Sequence, residues 1–157
     1  MNVLIIGGGA AGLLAGIAAV ENSTELIILE KMERPGKKML ITGKGRCNIT
    51  NISDIDDFIR NIPGNGRFLY SVLRRFTNAD MINLLEKNGL TTKVERGGRV
   101  FPVSDRADDV VKTLVKIFTA QGGIFRTCVK IKKIITENGK FSGLNTNNGF
   151  SKAKRQS

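Results

Sequence analysis

The 157-residue chain has no histidine and no tryptophan, one tyrosine, three prolines and two cysteines, and its 14 acidic residues are outnumbered by 25 lysines and arginines. Without histidine there is no Ser-His-Asp or Cys-His nucleophile pair, no imidazole general base and no histidine-ligated metal. Cys47 and Cys128 follow no C-x-x-C or ligand spacing, so neither a zinc site nor a dithiol redox pair is suggested. Two unpaired thiols suit a reducing compartment. Long apolar runs are also missing. Residues 3–6 and 13–20 are apolar, but glycines at 7, 8, 9 and 12 interrupt them and no basic segment precedes them, so an export signal is not expected. Nothing approaches the roughly 18 apolar residues that cross a bilayer. The expectation is a cytoplasmic protein with no membrane partner.

What is present is enough for a core: 41% of the residues are hydrophobic, and the length suits one domain. The formal charge of +11 favours anionic partners without choosing among them. The densest basic run is Lys31, Arg34, Lys37, Lys38, Lys44 and Arg46. A solvated face explains such a run as well as a phosphate site does.

Residues 2–6 form a short apolar run with branched side chains, stopped by three glycines, as a strand buried in a parallel sheet would be. An Ala/Leu-rich helix over 10–20 and a second buried strand over 25–30 complete a βαβ unit. From 31 to 51 periodicity disappears, which predicts a functional loop of about twenty residues. Helices are expected over 53–60, 66–76 and 78–88, the last capped by Thr77 or Asn78 and stopped by Gly89. Residues 91–103 read as a hairpin around Gly97-Gly98. A helix capped by Ser104 or Asp105 then runs to Gln121, with Val110, Val111, Leu114, Val115, Ile117 and Phe118 on one face. Strand-rich residues 124–135, the Asn138-Gly139 turn, a strand over 141–146 and the Asn148-Gly149 turn predict a small antiparallel meander. Residues 1–150 form the expected domain and 151–157 an unstructured tail.

The chemistry-bearing motif is Gly7-Gly8-Gly9-Ala10-Ala11-Gly12, a G-x-G-x-x-G placed after a buried strand and opening a helix. Gly7 permits the tight turn, Gly9 lets backbone approach a pyrophosphate, and Gly12 lets helix and strand pack closely. The N–H groups and positive dipole end of the helix, around Ala10 and Ala11, face the phosphates. Glu30 ends the second strand, where a carboxylate accepts hydrogen bonds from the ribose hydroxyls of an adenosine and repels a 2′-phosphate. Lys31 lies next to it, near the ribose and phosphates or simply in solvent. A βαβ unit with glycines for packing alone is the competing structural explanation.

Two further blocks carry a family resemblance. Residues 30–51, Glu-Lys-Met-Glu-Arg-Pro-Gly-Lys-Lys-Met-Leu-Ile-Thr-Gly-Lys-Gly-Arg-Cys-Asn-Ile-Thr-Asn, and residues 98–107, Gly-Arg-Val-Phe-Pro-Val-Ser-Asp-Arg-Ala, are similar to motifs of the bacterial BaiN-like (YhiN-type) NAD(P)/FAD-dependent, aminoacetone-oxidase-family oxidoreductases. The resemblance reaches from the glycine motif to about residue 150. It implies an α/β fold: a Rossmann-like FAD-binding sheet of the two-dinucleotide-binding type, with helices and a small antiparallel β-meander. It also implies FAD as cofactor, with NAD(P)H as a possible electron donor. Gly7, Gly9 and Gly12 would hold the pyrophosphate and Glu30 the ribose. Thr42, Gly43, Arg46, Cys47 and Asn48 would line the pyrophosphate and flavin end. Ile131, or Val129 beside it, would pair a backbone group with adenine. Backbone N–H groups and a guanidinium suit a diphosphate, and an amide such as Asn48 suits the polar edge of a flavin. Arg46 in a salt bridge is the structural alternative, and for Cys47 a packing or cofactor-lining role outweighs a catalytic thiol, because no second cysteine lies nearby.

Members of this family continue with an Ala-Thr-Gly-Gly-type strand, an inserted substrate-side domain and a return to the sheet, whereas this sequence ends at Ser157. The chain therefore reads as a truncated N-terminal part of a flavin-dependent oxidoreductase acting on an unidentified small molecule. Unpaired strands would favour self-association through an exposed sheet edge. Two other readings compete: a non-catalytic FAD- or ADP-binding remnant, and a basic nucleic-acid-binding module. The single tyrosine and absent tryptophan disfavour the latter, since stacking platforms are few.

Overall fold

The computed structural model describes residues 2–19 and 25–152. They divide into two compact units: residues up to Lys37 together with those from Val115 onward, and Lys38–Leu114.

The first unit opens as expected. Strand β1 (Asn2–Ile6), helix α1 (Ala10–Ala19) and strand β2 (Glu25–Leu29) form a βαβ unit, with β1 and β2 parallel and in register from Asn2 opposite Glu25 to Ile6 opposite Leu29. A third parallel strand, β6 (Ile124–Arg126), adds to the far side of β2, giving the order β1-β2-β6. Because α1 is small-residue rich, it sits close on one face of this sheet. A Cβ on Gly12 would meet Ile5 Cγ2 at 3.4 Å, and one on Gly16 would meet Phe118 at 2.8 Å and Ile28 at 3.1 Å. Phe118, from helix α5 (Ala107–Ala120), is fully buried and packs edge-on against Phe125 at 4.9 Å between ring centroids. On the other sheet face Leu4, Ile6 and Ile124 are 38%, 52% and 44% exposed, while Leu29, level with Ile6, is buried.

Residues 124–126 correct the expectation of one continuous meander from 124. The chain returning from α5 enters the parallel sheet, with Ile27 opposite Ile124, and only then turns into the meander. The meander is β7 (Ile131–Glu137), β8 (Lys140–Thr146) and β9 (Gly149–Lys152), antiparallel throughout. Asn138 and Gly139 both take the left-handed conformation that a two-residue hairpin turn requires. Strand β9 takes in residues 151 and 152 of the expected tail; 153–157 lie outside the described residues, as does the last residue of the helix expected over 10–20.

In the second unit the stretch expected to be a plain loop carries structure. Met39–Gly45 is a 3-10 segment broken by a kink at Thr42, Gly43 and Lys44, and it leads to the two-residue strand β3 (Thr50–Asn51). Strands β4 (Thr92–Glu95) and β5 (Arg99–Pro102) form the hairpin around Gly97-Gly98, and β3 pairs with β5 to give the order β3-β5-β4. Helix α2 (Ile55–Arg60) is capped by Asp54, whose side chain accepts from the Asp57 N–H. The helix expected over 66–76 is split into a 3-10 turn (Gly66–Leu69) and α3 (Tyr70–Arg75). Gly66 permits the tighter turn, since a Cβ there would lie 2.4 Å from the Ile59 carbonyl oxygen. Helix α4 (Asn78–Lys87) is capped by Thr77, not Asn78, through a reciprocal capping box with Asp80.

Phe118 joins helix to sheet, so Phe118→Ala should cost about 3–5 kcal/mol of stability, as is usual for emptying an aromatic core site, read from the midpoint of a urea titration.

Candidate functional site

The glycine turn is built by backbone contacts that side chains would prevent. Gly7 has φ 103° and its N–H donates to the Leu29 carbonyl at 2.8 Å, tying the turn to the end of β2. Gly12 sits against the turn so closely that a Cβ would lie 1.9 Å from the Gly7 carbonyl oxygen. A Cβ on Gly9 would meet nothing within 4 Å, so backbone is open to a ligand at that position. The Gly9 carbonyl accepts from the Leu13 N–H at 2.9 Å, and Ala10 and Ala11 stand exposed in the first turn of α1, where N–H groups have no partner within the helix.

Glu30 is buried and fixed by two backbone donors. Its Oε2 accepts from the Gly8 N–H at 2.7 Å and its Oε1 from the Met32 N–H at 2.8 Å. Each carboxylate oxygen keeps a further lone pair for a ligand hydroxyl. The structure thus brings Gly7, Gly9, Ala10, Ala11, Gly12 and Glu30 together at one end of the parallel sheet, and Lys31 is exposed beside them. The segment after β6 joins them: the Val129 N–H donates to the Glu30 carbonyl at 2.9 Å and the Cys128 N–H to the Met32 carbonyl at 3.1 Å. Ile131 lies one step further on, opposite Thr146 in β7 and β8. The role of Gly8, as donor to Glu30, and that of Gly36, whose N–H donates to the Gly8 carbonyl at 2.8 Å, had no sequence signal beyond glycine itself.

Thr42, Gly43, Arg46, Cys47 and Asn48 lie in the second unit, gathered in one kinked loop. Gly43, Lys44, Gly45 and Cys47 all have positive φ. The Thr42 hydroxyl donates to the Met39 carbonyl at 2.8 Å, and the Cys47 N–H donates to the Thr42 carbonyl at 3.1 Å. Asn48 is exposed. The Arg46 guanidinium is engaged by protein: Nη1 donates to Glu95 at 2.8 Å and reaches Asp105 at 3.4 Å, and its carbon lies 4.2 Å above the centre of the Phe101 ring. The hydrogen bond it donates to Glu95 holds the Arg46 pKa above its ordinary value. Lys93 completes the cluster, donating to Asp105 at 2.5 Å. That bond is the main cause of an Asp105 pKa below the ordinary carboxylate value. Asp105, expected as a helix cap, instead holds these two cations in a left-handed backbone conformation, φ 54°.

A search across known families matches residues 1–156 to the HI0933-like protein Rossmann domain. The chain belongs to the HI0933-like Rossmann family. Among relatives of this HI0933-like chain, the 3-dehydro-bile acid delta(4,6)-reductase of Clostridium scindens is 40% identical over 126 residues, 73% of this chain and 30% of the relative. A ribosomal RNA dihydrouridine synthase of Escherichia coli is 34% identical over 119 residues, 73% of this chain and 28% of the relative. The chain therefore spans less than a third of the length of these curated relatives. Among solved structures, a flavocytochrome c3 fumarate reductase superposes with a TM-score of 0.72 at 18% identity, over 95% of this chain and 31% of that one. The 3-ketosteroid-delta4-(5alpha)-dehydrogenase of Rhodococcus jostii does so with 0.67 at 13% identity, over 92% and 41%. These likenesses establish the Rossmann-like α/β fold.

Family and fold point to FAD, and the first unit of the HI0933-like chain fits its ADP half: open backbone at Gly9, free helix N–H groups and a fixed carboxylate at Glu30. Among the described residues no group of three or more Asp, Glu or Cys could hold a metal ion, and no helix is long and apolar enough to cross a membrane.

The two thiols should behave differently. Burial pushes the Cys47 thiol up, with the Thr42 hydroxyl opposing it in smaller part, whereas Cys128 is exposed. At neutral pH an aromatic disulfide reagent should therefore modify one thiol rapidly, and Cys128→Ser should abolish that fast phase. Acid should act through Asp54, Asp80 and Asp105, each held below its ordinary value mainly by a hydrogen bond, from the Asp57 N–H, the Thr77 N–H and Lys93 respectively. Their stabilisation is complete above the unfolded carboxylate pKa of about 3.9 and is lost as pH falls through the lower folded values. A circular-dichroism acid titration should show it, with Asp105→Asn reducing the loss.

Proposed function

We propose that the chain is the N-terminal, FAD-binding part of a flavin-dependent oxidoreductase. The observation that carries this is the Glu30 carboxylate, held by two backbone N–H groups at the end of β2 beside the glycine turn. The domain is proposed to comprise residues 1–150, with Gly7, Gly9, Ala10, Ala11 and Gly12 holding the pyrophosphate, Glu30 the ribose and Lys31 contributing charge nearby. With the Val129 N–H given to Glu30, the Ile131 end of the segment is the better placed to offer backbone to adenine. The family resemblance assigns Thr42, Gly43, Cys47 and Asn48 to the cofactor as well, by loop backbone and the Asn48 amide.

The flavin supplies hydride acceptance and donation when bound, and NAD(P)H is its proposed electron source. The residues of this chain bind and orient it. One relative is named as a bile acid reductase and the other as a ribosomal RNA dihydrouridine synthase, and for the whole protein we take the reaction class to be reduction of a substrate by the flavin. Location in the cytoplasm and self-association through the β1 edge belong to the same proposal.

The test is FAD and ADP titration followed by flavin absorbance and thermal shift. The chain should retain FAD and be stabilised by ADP, and Glu30→Ala should weaken ADP roughly ten- to a hundredfold, as loss of hydrogen bonds to a charged group does. A colourless chain that neither nucleotide stabilises would overturn the proposal.

A further inference from the structure

Arg46 is the residue whose surroundings disagree most with the role its chemistry suggests. A guanidinium in a glycine-rich loop invites a diphosphate. Here Nη1 is shared between Glu95 and Asp105, and the flat face lies on Phe101, which is 1% exposed. The same ring meets the loop a second time: a Cβ on Gly43 would stand 3.1 Å from Phe101 Cε1 and 3.0 Å from the Asn48 N–H nitrogen. One buried ring thus touches the loop at Gly43 and at Arg46, on either side of the positive-φ residues Lys44 and Gly45 and just ahead of Cys47. Backbone conformations of this kind in Lys44 and Cys47 persist only where surrounding contacts enforce them.

We propose that Arg46 is a positioning residue, clamped between Glu95, Asp105 and the Phe101 face, that fixes the shape of the Thr42–Asn48 loop for the cofactor and is not itself a phosphate ligand. This rests on the proposal that the chain binds FAD. Lys93 serves the clamp by holding Asp105, and Glu95 serves it by holding Arg46. The arrangement needs a planar, stacking cation, which lysine does not provide.

The experiment compares wild type with Arg46→Ala, Arg46→Lys, Glu95→Gln and the Arg46→Ala/Glu95→Gln double variant, all carrying Cys128→Ser. Two readouts are taken: the alkylation rate of buried Cys47, which reports the loop in the absence of any ligand, and the affinities for FAD, ADP and inorganic pyrophosphate. The clamp predicts that every variant exposes Cys47 and weakens FAD by roughly five- to tenfold, the effect of losing one net hydrogen bond or a little more. It predicts that Arg46→Lys is as impaired as Arg46→Ala and that the double variant is no worse than Arg46→Ala. The proposal is overturned if Glu95→Gln leaves Cys47 protected, or if Arg46→Ala weakens FAD, ADP and pyrophosphate alike while Arg46→Lys restores them. A wild type that binds no FAD defeats the functional reading instead, and the Cys47 rates still decide whether the clamp exists.

Discussion

The approach of α1 to its preceding turn is set by a contact between two pieces of backbone, the Gly7 carbonyl oxygen and the Cα of Gly12. No side chain fits between them, because a Cβ would have to occupy the same space as the oxygen. Much of the first unit follows from this constraint. The helix can start directly off the strand end, its first-turn N–H groups are exposed where a ligand can reach them, and Gly16 one turn later continues the close approach down onto Ile28 and Phe118. The Gly8 N–H is left pointing at the end of β2, and Glu30 is the residue there to accept it. A turn that looks like a ligand device is therefore also a packing device, and the two uses are not separable.

What was legible in the sequence is what short-range physics determines. Glycines that must adopt positive φ, an apolar run of strand length, and an Asn-Gly pair between alternating residues each specify local geometry almost alone. Glu30 was legible because strand, turn and helix lengths fix where a carboxylate at the end of β2 must lie. The membership of residues 124–126 was not. Three residues carry too little pattern to distinguish a parallel strand from the start of a meander, and the decision is made by pairing with Ile27, Ile28 and Leu29 nearly a hundred residues earlier.

A salt bridge at Arg46 could be named from the sequence, but its partners could not, for a related reason. Its carboxylate partners are 49 and 59 residues away in sequence, and the ring beneath it belongs to a hairpin strand. The sequence offered Arg46 both a diphosphate and a salt bridge, and the fold supplies two carboxylates. The block from Gly98 to Ala107 was recognisable as distinctive, but nothing within it indicated that Phe101 and Asp105 act on a loop fifty residues upstream. Motifs record that residues recur together without recording what they touch.

The exposed apolar residues on one side of the parallel sheet bear on how such a chain fares during its own synthesis. Strand β6 closes its pairing with β2 only after more than ninety intervening residues have emerged, yet Leu4, Ile6 and Ile124 remain open to water once it has done so. At ribosomal elongation rates of about 5–20 residues per second, β1 waits for several seconds before the three-stranded sheet can exist at all, and the sheet that then forms still carries an oily side. Apolar surface exposed for this long during synthesis is the kind that holdase chaperones recognise in nascent chains generally.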